Sequence, residues 1–358
     1  MERNDLIVNC GNDARNMVLY LLEQVQPEQG LDPRARVGIK PNLVLAKKAD
    51  NGATTSPEMV AGIIEYFQSK GFRNLCILEG SWVGEQTARA YKVCGYEDLS
   101  RHYQVPLIDL QRDKAIDCTG GGMDLKVCEQ VLQLDYLINV PVLKGHCQTG
   151  MTCALKNLKG CIPNSEKRRY HTMGLHRPIA CLNTVIHQDL ILVDGLMGDL
   201  NFEEGGHPVP MNRLIAGRDP VLVDSYVASL MGFTIDEIPY IRMAEALGVG
   251  KANLSSANIV ELNDDRGSII LPKPRKLPHT RLIEDNEACS ACYGSLIHAL
   301  ERMSDHGTLD RVRQKLYIGQ HYKGKRFNGI GIGSCTSSFD RCVLGCPPKA
   351  RDIVSFLE

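Results

Sequence analysis

Over the first two-thirds of the chain, short apolar runs of strand length alternate with segments whose apolar residues recur at helical spacing. This alternation constrains the fold more than any other feature. Strands separated by helices assemble into a mostly parallel sheet with helices on both faces. Residues 36–44 read as a strand running into a loop. From Pro57 to Lys70 the spacing predicts a helix, with Ser56 as N-cap, Pro57 at the first helical position and Gly71 beyond its end. Residues 74–79, 105–110, 136–142 and 190–193 read as further strands, and Asp219-Pro220 opens a helix running through Met231. The expected fold class is α/β, a mostly parallel sheet flanked by helices.

Residues 271–278, rich in proline and basic side chains, read as a linker. They separate an expected main domain, residues 1–270, from a smaller C-terminal α/β segment, residues 280–358. In that segment residues 293–303 look helical, residues 326–333 read as a strand with glycines at every second position from Gly329, and residues 348–357 form a closing helix.

The chain has 358 residues, 43% of them hydrophobic, which is ample for a packed core. Lys and Arg number 41 against 42 Asp and Glu, so no global charge draws the chain to nucleic acid or an anionic membrane. No apolar run approaches the roughly 20 residues that span a bilayer. The first residues, Met1 to Asp5, lack the basic start and apolar stretch of a signal peptide. The expectation is a cytoplasmic protein that binds neither membrane nor nucleic acid.

Fourteen cysteines are many for such a chain. A long chain without an export signal is a poor candidate for a disulfide framework, and reduced cysteines at short spacing point to metal. Nine lie between Cys10 and Cys181, none follows until Cys289, and five fall between Cys289 and Cys346. The last group reads Cys289-x2-Cys292, then Cys335, Cys342 and Cys346, with Pro347-Pro348 behind. A Cys-Pro step recurs where a chain leaves an iron–sulfur cluster. Gly345-Cys346-Pro347-Pro348 is locally similar to the ligand motif of the small subunits of hydrogenases and respiratory quinone oxidoreductases. Structural zinc also uses four thiolates, and inert buried thiols are a third reading. The favoured reading is a 4Fe-4S cluster on Cys289, Cys292, Cys335 and Cys346, with Cys342 as a replacement for Cys335 or a free thiol. Residues 331–333 are expected to aim backbone N–H groups at the anionic cluster.

The densest polar stretch, residues 142–176, carries Lys144, His146, Lys156, Asn157, Lys159, Lys167 and His171 among glycines and threonines. Lysines on a glycine-rich backbone suit an anionic ligand, whereas a solvated basic loop is the bland alternative. Cys147, Cys153 and Cys161 lie in the same stretch, and a second metal site with His146 or His171 would match no standard spacing. Strand ends add Lys40-Pro41-Asn42, Glu79-Gly80-Ser81 and Asp194-Gly195. Glu79 reads either as an acid/base or as a loop carboxylate, and Asp194 either as a supporting carboxylate or as a turn residue. In open α/β sheets the carboxyl ends of strands receive ligands, which would bring these clusters to one edge. No Gly-rich nucleotide fingerprint follows the first strand.

Several segments stand in a familiar order: residues 40–44, 55–58, 79–81, 139–146, 149–152, 154–160, 193–195 and 216–220. Together they resemble the family catalogued as domain of unknown function 362, over roughly residues 35–250. The segment Lys156-Asn157-Leu158-Lys159-Gly160 is the most specific part. The resemblance implies an α/β domain often joined to an iron–sulfur segment, frequently a ferredoxin-like one. The C-terminal cysteines here lack the close-packed run of a bacterial ferredoxin. The family supplies no reaction.

The leading expectation is an oxidoreductase of anaerobic or low-potential metabolism. Lys40, Asn42, Lys144, Asn157 and Lys159 would bind a small anionic substrate. His146 would donate a proton, Lys156 would balance developing negative charge, and the 4Fe-4S cluster would relay electrons to or from a redox partner protein. A homodimer is compatible with this reading. A lyase or dehydratase using three cysteines and an open iron as Lewis acid is one alternative. A non-catalytic electron carrier or cluster-delivery protein is another.

Overall fold

The computed structural model describes residues 1–263 and 281–358. The expected linker at 271–278 lies outside the described residues. The described residues divide into two compact units: residues 1–167 with 176–263, and residues 168–175 with 281–358.

The main unit opens with β1 (Asp5–Cys10), α1 (Ala14–Val25), β2 (Val37–Pro41), α2 (Pro57–Ser69) and β3 (Leu75–Glu79). Next come α3 (Thr87–Val93), α4 (Tyr96–Tyr103), β4 (Leu107–Asp109), a hairpin of β5 (Ala115–Gly120) and β6 (Met123–Cys128), and α5 (Glu129–Leu132). Then follow β7 (Tyr136–Val140), a second small hairpin of β8 (Lys144–His146) and β9 (Gly150–Thr152), and the helices α6 (Ala154–Asn157), α7 (Asn164–Met173), whose residues from Arg168 belong to the second unit, and α8 (His176–Leu182). The unit finishes with β10 (Leu190–Asp199), β11 (Pro208–Gly217), α9 (Pro220–Leu230), α10 (Pro239–Ala246) and β12 (Asn258–Glu261).

Eight of these strands form one sheet in the order β12-β1-β11-β10-β7-β2-β3-β4. Its pairings are parallel except β1–β11 and β10–β11. The α/β reading of the sequence therefore holds, with an antiparallel hairpin that the sequence did not announce. Central strands β2, β3 and β7 are buried at every residue, as strands covered on both faces must be. On α1 the buried residues Ala14, Met17, Val18, Leu21, Leu22 and Val25 follow helical spacing. Each large apolar side chain so buried contributes about 1.5–3 kcal/mol relative to exposure. Asp13 caps α1 by accepting from Asn16 N–H, and Asp219 caps α9 by accepting from Val221 and Leu222 N–H, with Pro220 at the first position.

The second unit contains β13 (Ile283–Asp285), α11 (Ser290–Asp305), β14 (Leu316–Ile318), β15 (Ile330–Ile332), β16 (Arg341–Val343) and α12 (Ala350–Leu357). Its four strands pair in sequence order, all parallel. Leu296, Leu300, Leu316, Ile330, Ile332, Val343 and Ile353 form its core. Among the described residues no helix is long and apolar enough to cross a membrane.

Candidate functional site

The sheet reverses its strand order at β2, where β3 and β4 follow on one side and β7 lies on the other. The crevice beyond the strand ends at such a reversal is where α/β sheets place ligands. Lys40 stands in register with Asn139 there. Glu79 ends β3, and a bridge joins Val142 to Asp194 on β10. The four polar clusters expected from the sequence come to this one edge.

Lys40 is fully buried, and its ammonium donates to both oxygens of Glu79, each at 3.0 Å, and to the Pro41 carbonyl at 2.9 Å. Glu79 also accepts from Leu43 N–H at 2.9 Å and Gly80 N–H at 2.7 Å. A buried ion pair persists only when the remaining polar positions are satisfied in this way. Gly160 lies against the pair. A Cβ built there would stand 2.1 Å from Glu79 Oε1 and 2.6 Å from Lys40 Nζ. The glycine that closes the most specific segment of the sequence is thus required by close approach.

Lys144 is also fully buried. Its three protons go to Asn42 Oδ1 at 3.1 Å, to the Glu203 carbonyl at 2.9 Å and to the Ala53 carbonyl. From Asn42 a relay of buried carboxamides continues. Asn42 Nδ2 donates to Asn157 Oδ1 at 2.9 Å, and Asn157 Nδ2 donates to Asn139 Oδ1 at 2.7 Å. Asn139 Nδ2 donates to Gln188 Oε1, and Gln188 Nε2 to Asn183 Oδ1 at 2.7 Å. Asn183 Nδ2 ends the relay on the carbonyls of Leu155 and Ile179, both at 2.9 Å. Asn42 and Asn157 thus support a lysine and fix the crevice wall.

His146, Lys156 and Glu203 form the second cluster. Glu203 Oε2 lies 2.8 Å from Lys156 Nζ and 3.1 Å from His146 Nε2, the latter without the alignment of a hydrogen bond. Lys156 also donates to Thr152 Oγ1 at 3.0 Å. His146 Nδ1 accepts from Gln148 N–H at 3.1 Å and Thr149 N–H at 3.0 Å, which places the proton of the neutral ring on Nε2. Burial lowers His146 to about 4, despite the nearby Glu203 carboxylate. At neutral pH the ring is therefore uncharged. The ordinary imidazole range on which the proton-donor expectation rested does not apply here. For Glu203, burial opposes the charged form, but His146 and Lys156 outweigh it and hold the carboxyl well below its usual range.

Burial lowers Lys144 and Lys159 to about 7 and Lys167 to about 8, with neighbouring lysines adding to the effect. Lys167 donates to the carbonyls of Gly80 and Ser81, both at 2.8 Å. The short helix carrying Lys156 and Asn157 is held from α9. Buried Asp224 accepts from Ala154 N–H at 2.7 Å and Leu155 N–H at 3.3 Å, and burial raises its carboxyl to about 7. Asp194 faces away from this cluster of lysines in its bonding, accepting from Ser56 N–H at 2.8 Å and Leu196 N–H at 3.1 Å. Cys153, Cys147 and Cys161 lie among these elements, and burial raises the last two to about 12.

Glu203, Lys167, Asn139, Gln188 and Asn183 complete the site beyond the residues singled out from the sequence. Asn139 stood within a familiar segment and Lys167 within the basic stretch. Glu203, 47 residues from Lys156, and Gln188, 49 from Asn139, had no local signal.

In the second unit Cys289 is the N-cap residue of α11, and Cys292 lies in its first turn. Cys335 follows β15, and Cys346 follows β16. Burial and then the charges of Cys289, Cys346 and Cys335 raise Cys292 to about 12, and burial with Cys335 and Cys346 also raises Cys289. Gln320 Nε2 lies 3.6 Å from Cys289 Sγ. Cys342 lies inside β16, in register with Gly331. The loops after β15 and β16 are tied together by Ser334 N–H donating to the Gly345 carbonyl at 2.9 Å. Residues 330–332 are strand, within the stretch 326–333 read as one, but Gly333 N–H, expected to face a cluster, is engaged by the Val343 carbonyl at 2.8 Å. The N–H groups of this strand follow the ladder because parallel pairing uses them. Among the described residues, no three His, Cys, Asp or Glu side chains are grouped as ligands of a metal ion.

The chain is similar, at 25% identity over 249 residues, to the thylakoid-associated protein sll1697 of Synechocystis sp., with 66% of this chain and 77% of that protein covered. Among solved structures it is similar to the lactate racemase apoprotein from Thermoanaerobacterium thermosaccharolyticum, with a TM-score of 0.41 and 15% identity. That likeness covers 59% of this chain and 54% of the other, so the chain spans about half the length of that structure. The model of the family described as domain of unknown function (DUF362) matches residues 37–229, more than half of the sequence, and the chain belongs to that family.

Proposed function

We propose that this chain is an iron–sulfur protein whose C-terminal unit holds a 4Fe-4S cluster and whose main unit holds a small anionic molecule at the strand ends. What supports the reading is where the chain places these cysteines: Cys289 and Cys292 at the start of α11, and Cys335 and Cys346 in the loops after the neighbouring strands β15 and β16, although the four do not stand at the spacing of single-ion ligands. Four thiolates gathered by the protein alone repel one another. A cationic metal centre removes that repulsion and deprotonates the thiols. In a cube each thiolate binds a different iron, so the four sulfurs stand farther apart than around a single zinc, where all four share one ion. When bound, the cluster supplies one-electron transfer.

The main unit's own residues would do the rest. Lys156 supplies positive charge beside the crevice, in a buried setting where an anion is stabilised far more than in water, and Lys159, lowered by burial to about 7, adds charge in its protonated form. Neutral His146 carries its proton on Nε2, 3.1 Å from the same Glu203 carboxylate that Lys156 holds. Lys40, Lys144, Asn42 and Asn157 keep the crevice wall fixed through Glu79 and the amide relay. On this reading the chain is an oxidoreductase of low-potential metabolism.

Anaerobic purification of the full chain with iron and sulfide analysis tests the cluster. About four of each per chain are expected. Cys289→Ser, Cys292→Ser, Cys335→Ser and Cys346→Ser should each lose the visible absorbance and the iron, while Cys342→Ser keeps both. One zinc with no sulfide would refute the reading.

A further inference from the structure

The loop between β10 and β11 delivers a carboxylate from the chain itself to the Lys156–His146 site. Both ends of this loop are fixed by one buried carboxylate. Asp199 Oδ1 accepts from Asn201 N–H at 2.9 Å and Phe202 N–H at 3.0 Å, while Oδ2 accepts from His207 N–H at 3.0 Å. The tip between those anchors is held by ammonium groups. Lys144 reaches the Glu203 carbonyl, Lys47 reaches the Glu204 carbonyl at 2.9 Å, and Lys156 reaches the Glu203 carboxylate. Gly205 and Gly206, at φ 68° and 131°, separate the tip from the second anchor. The backbone there can turn through angles that other residues resist.

Glu203 is less enclosed than its partners, with its side chain 23% exposed against 0% for His146 and 6% for Lys156. It lines a cavity of about 290 Å³ together with Val44, Leu45, Lys47, Trp82, Glu85 and Glu204. The loop tip therefore sits between the buried cations and a space large enough for a small molecule.

We propose that the Lys156–His146 site binds the carboxylate of a small ligand, and that Glu203 is its internal stand-in, carried on a lid that a ligand must displace. The inference rests on the reading of the main unit as an anion-binding unit. Its chemistry is exchange of one carboxylate for another, with no bond made or broken. A site held closed by its own side chain for nine-tenths of the time binds its ligand about tenfold more weakly than an open one. Removing the internal carboxylate removes that competition.

The test uses the full chain and acetate as the probe, with inorganic phosphate in a parallel arm. Trp82 is the single tryptophan and lines the same cavity as Glu203, so its fluorescence reports the exchange. Acetate should bind Glu203→Gln about tenfold more tightly than the unaltered chain, and Lys156→Gln added to that variant should abolish the gain. Acetate should also raise the thermal midpoint of Glu203→Gln more than that of the unaltered chain. Lys47→Gln, a milder change that loosens the tip and leaves Glu203 in place, should shift affinity in the same direction by less. Equal acetate affinity in the unaltered chain, Glu203→Gln and Lys47→Gln would overturn the lid while the anion-binding reading stands. Gain for phosphate alone would overturn the carboxylate assignment. No response to either anion in any variant would overturn both the lid and the anion-binding reading beneath it.

Discussion

Gly160→Ala tests the packing of the strand-end site most directly. The added Cβ would lie 2.1 Å from Glu79 Oε1, 2.6 Å from Lys40 Nζ and 2.7 Å from Lys40 Cε. These atoms are side-chain ends, yet they cannot swing aside freely. Lys40 is 0% exposed and Glu79 3%, and each is bonded to backbone as well as to the other. Overpacking alone costs about 1–3 kcal/mol. Prising apart a buried pair approaches the roughly 3–5 kcal/mol seen when one partner is removed. A loss of about 3 kcal/mol is therefore expected. With a urea dependence of about 2 kcal/mol per molar, that is a midpoint shift of about 1.5 M. Trp82 fluorescence follows the main unit, because the second unit contains no tryptophan. The decisive comparison repeats Gly160→Ala in a Lys40→Met, Glu79→Leu background, where only the overpacking remains. A loss below about 1 kcal/mol in the native background, or an equal loss in both, would refute the argument that the glycine protects the ion pair.

The amide relay predicts that Gln188→Leu costs about 1–3 kcal/mol, because Asn139 Nδ2 loses one of its two acceptors and buried Asn183 Oδ1 loses its Gln188 donor. A change under about 0.5 kcal/mol in urea unfolding would show that the relay is dispensable. The lysines predict a pH dependence. Lys144 and Lys159 lie at about 7 and Lys167 at about 8 when folded, against 10.5 ordinarily. Above pH 7 the unfolded chain therefore holds more protons than the folded one, and stability rises with pH. Thermal midpoints should climb between pH 7 and about 8.5, and Lys159→Met should flatten part of that climb; a falling midpoint would contradict the assignment.

The central architecture was legible because helices buried on one side keep their helical spacing and strands covered on both faces keep continuous apolar runs. Residues 57–70 gave a helix at Pro57–Ser69, and residues 74–79 a strand at Leu75–Glu79. Ser56 takes the N-cap position, but its side chain makes no cap bond, and its N–H is engaged by Asp194 138 residues away. The β10–β11 hairpin was missed for identifiable reasons. Its register shifts between Gly195 and Met197, Gly198 interrupts β10, and β11 begins with Pro208 and includes Pro210, all of which weaken a strand signal. The same hairpin carries Glu203, so the missed element took a site residue with it. The lysines and amides of residues 144–160 were visible because they cluster locally. Gln188 and Asn183 were not, since only the fold brings them to Asn139.

An isolated carboxamide can turn over by half a rotation with little change of shape. The five between Lys144 and the carbonyls of Leu155 and Ile179 cannot do so singly. An ammonium at the head only donates, and carbonyls at the tail only accept, so every amide between them points the same way. Turning one would set oxygen against oxygen on one side and nitrogen against nitrogen on the other. The row can reverse only as a whole, and its two ends forbid that. The partially negative ends all face Lys144, so the row acts as an oriented line of dipoles that favours its charge. A single substitution at Lys144 to an accepting side chain would invert the demand at the head and be felt as far as α8, where Ile179 receives the last bond.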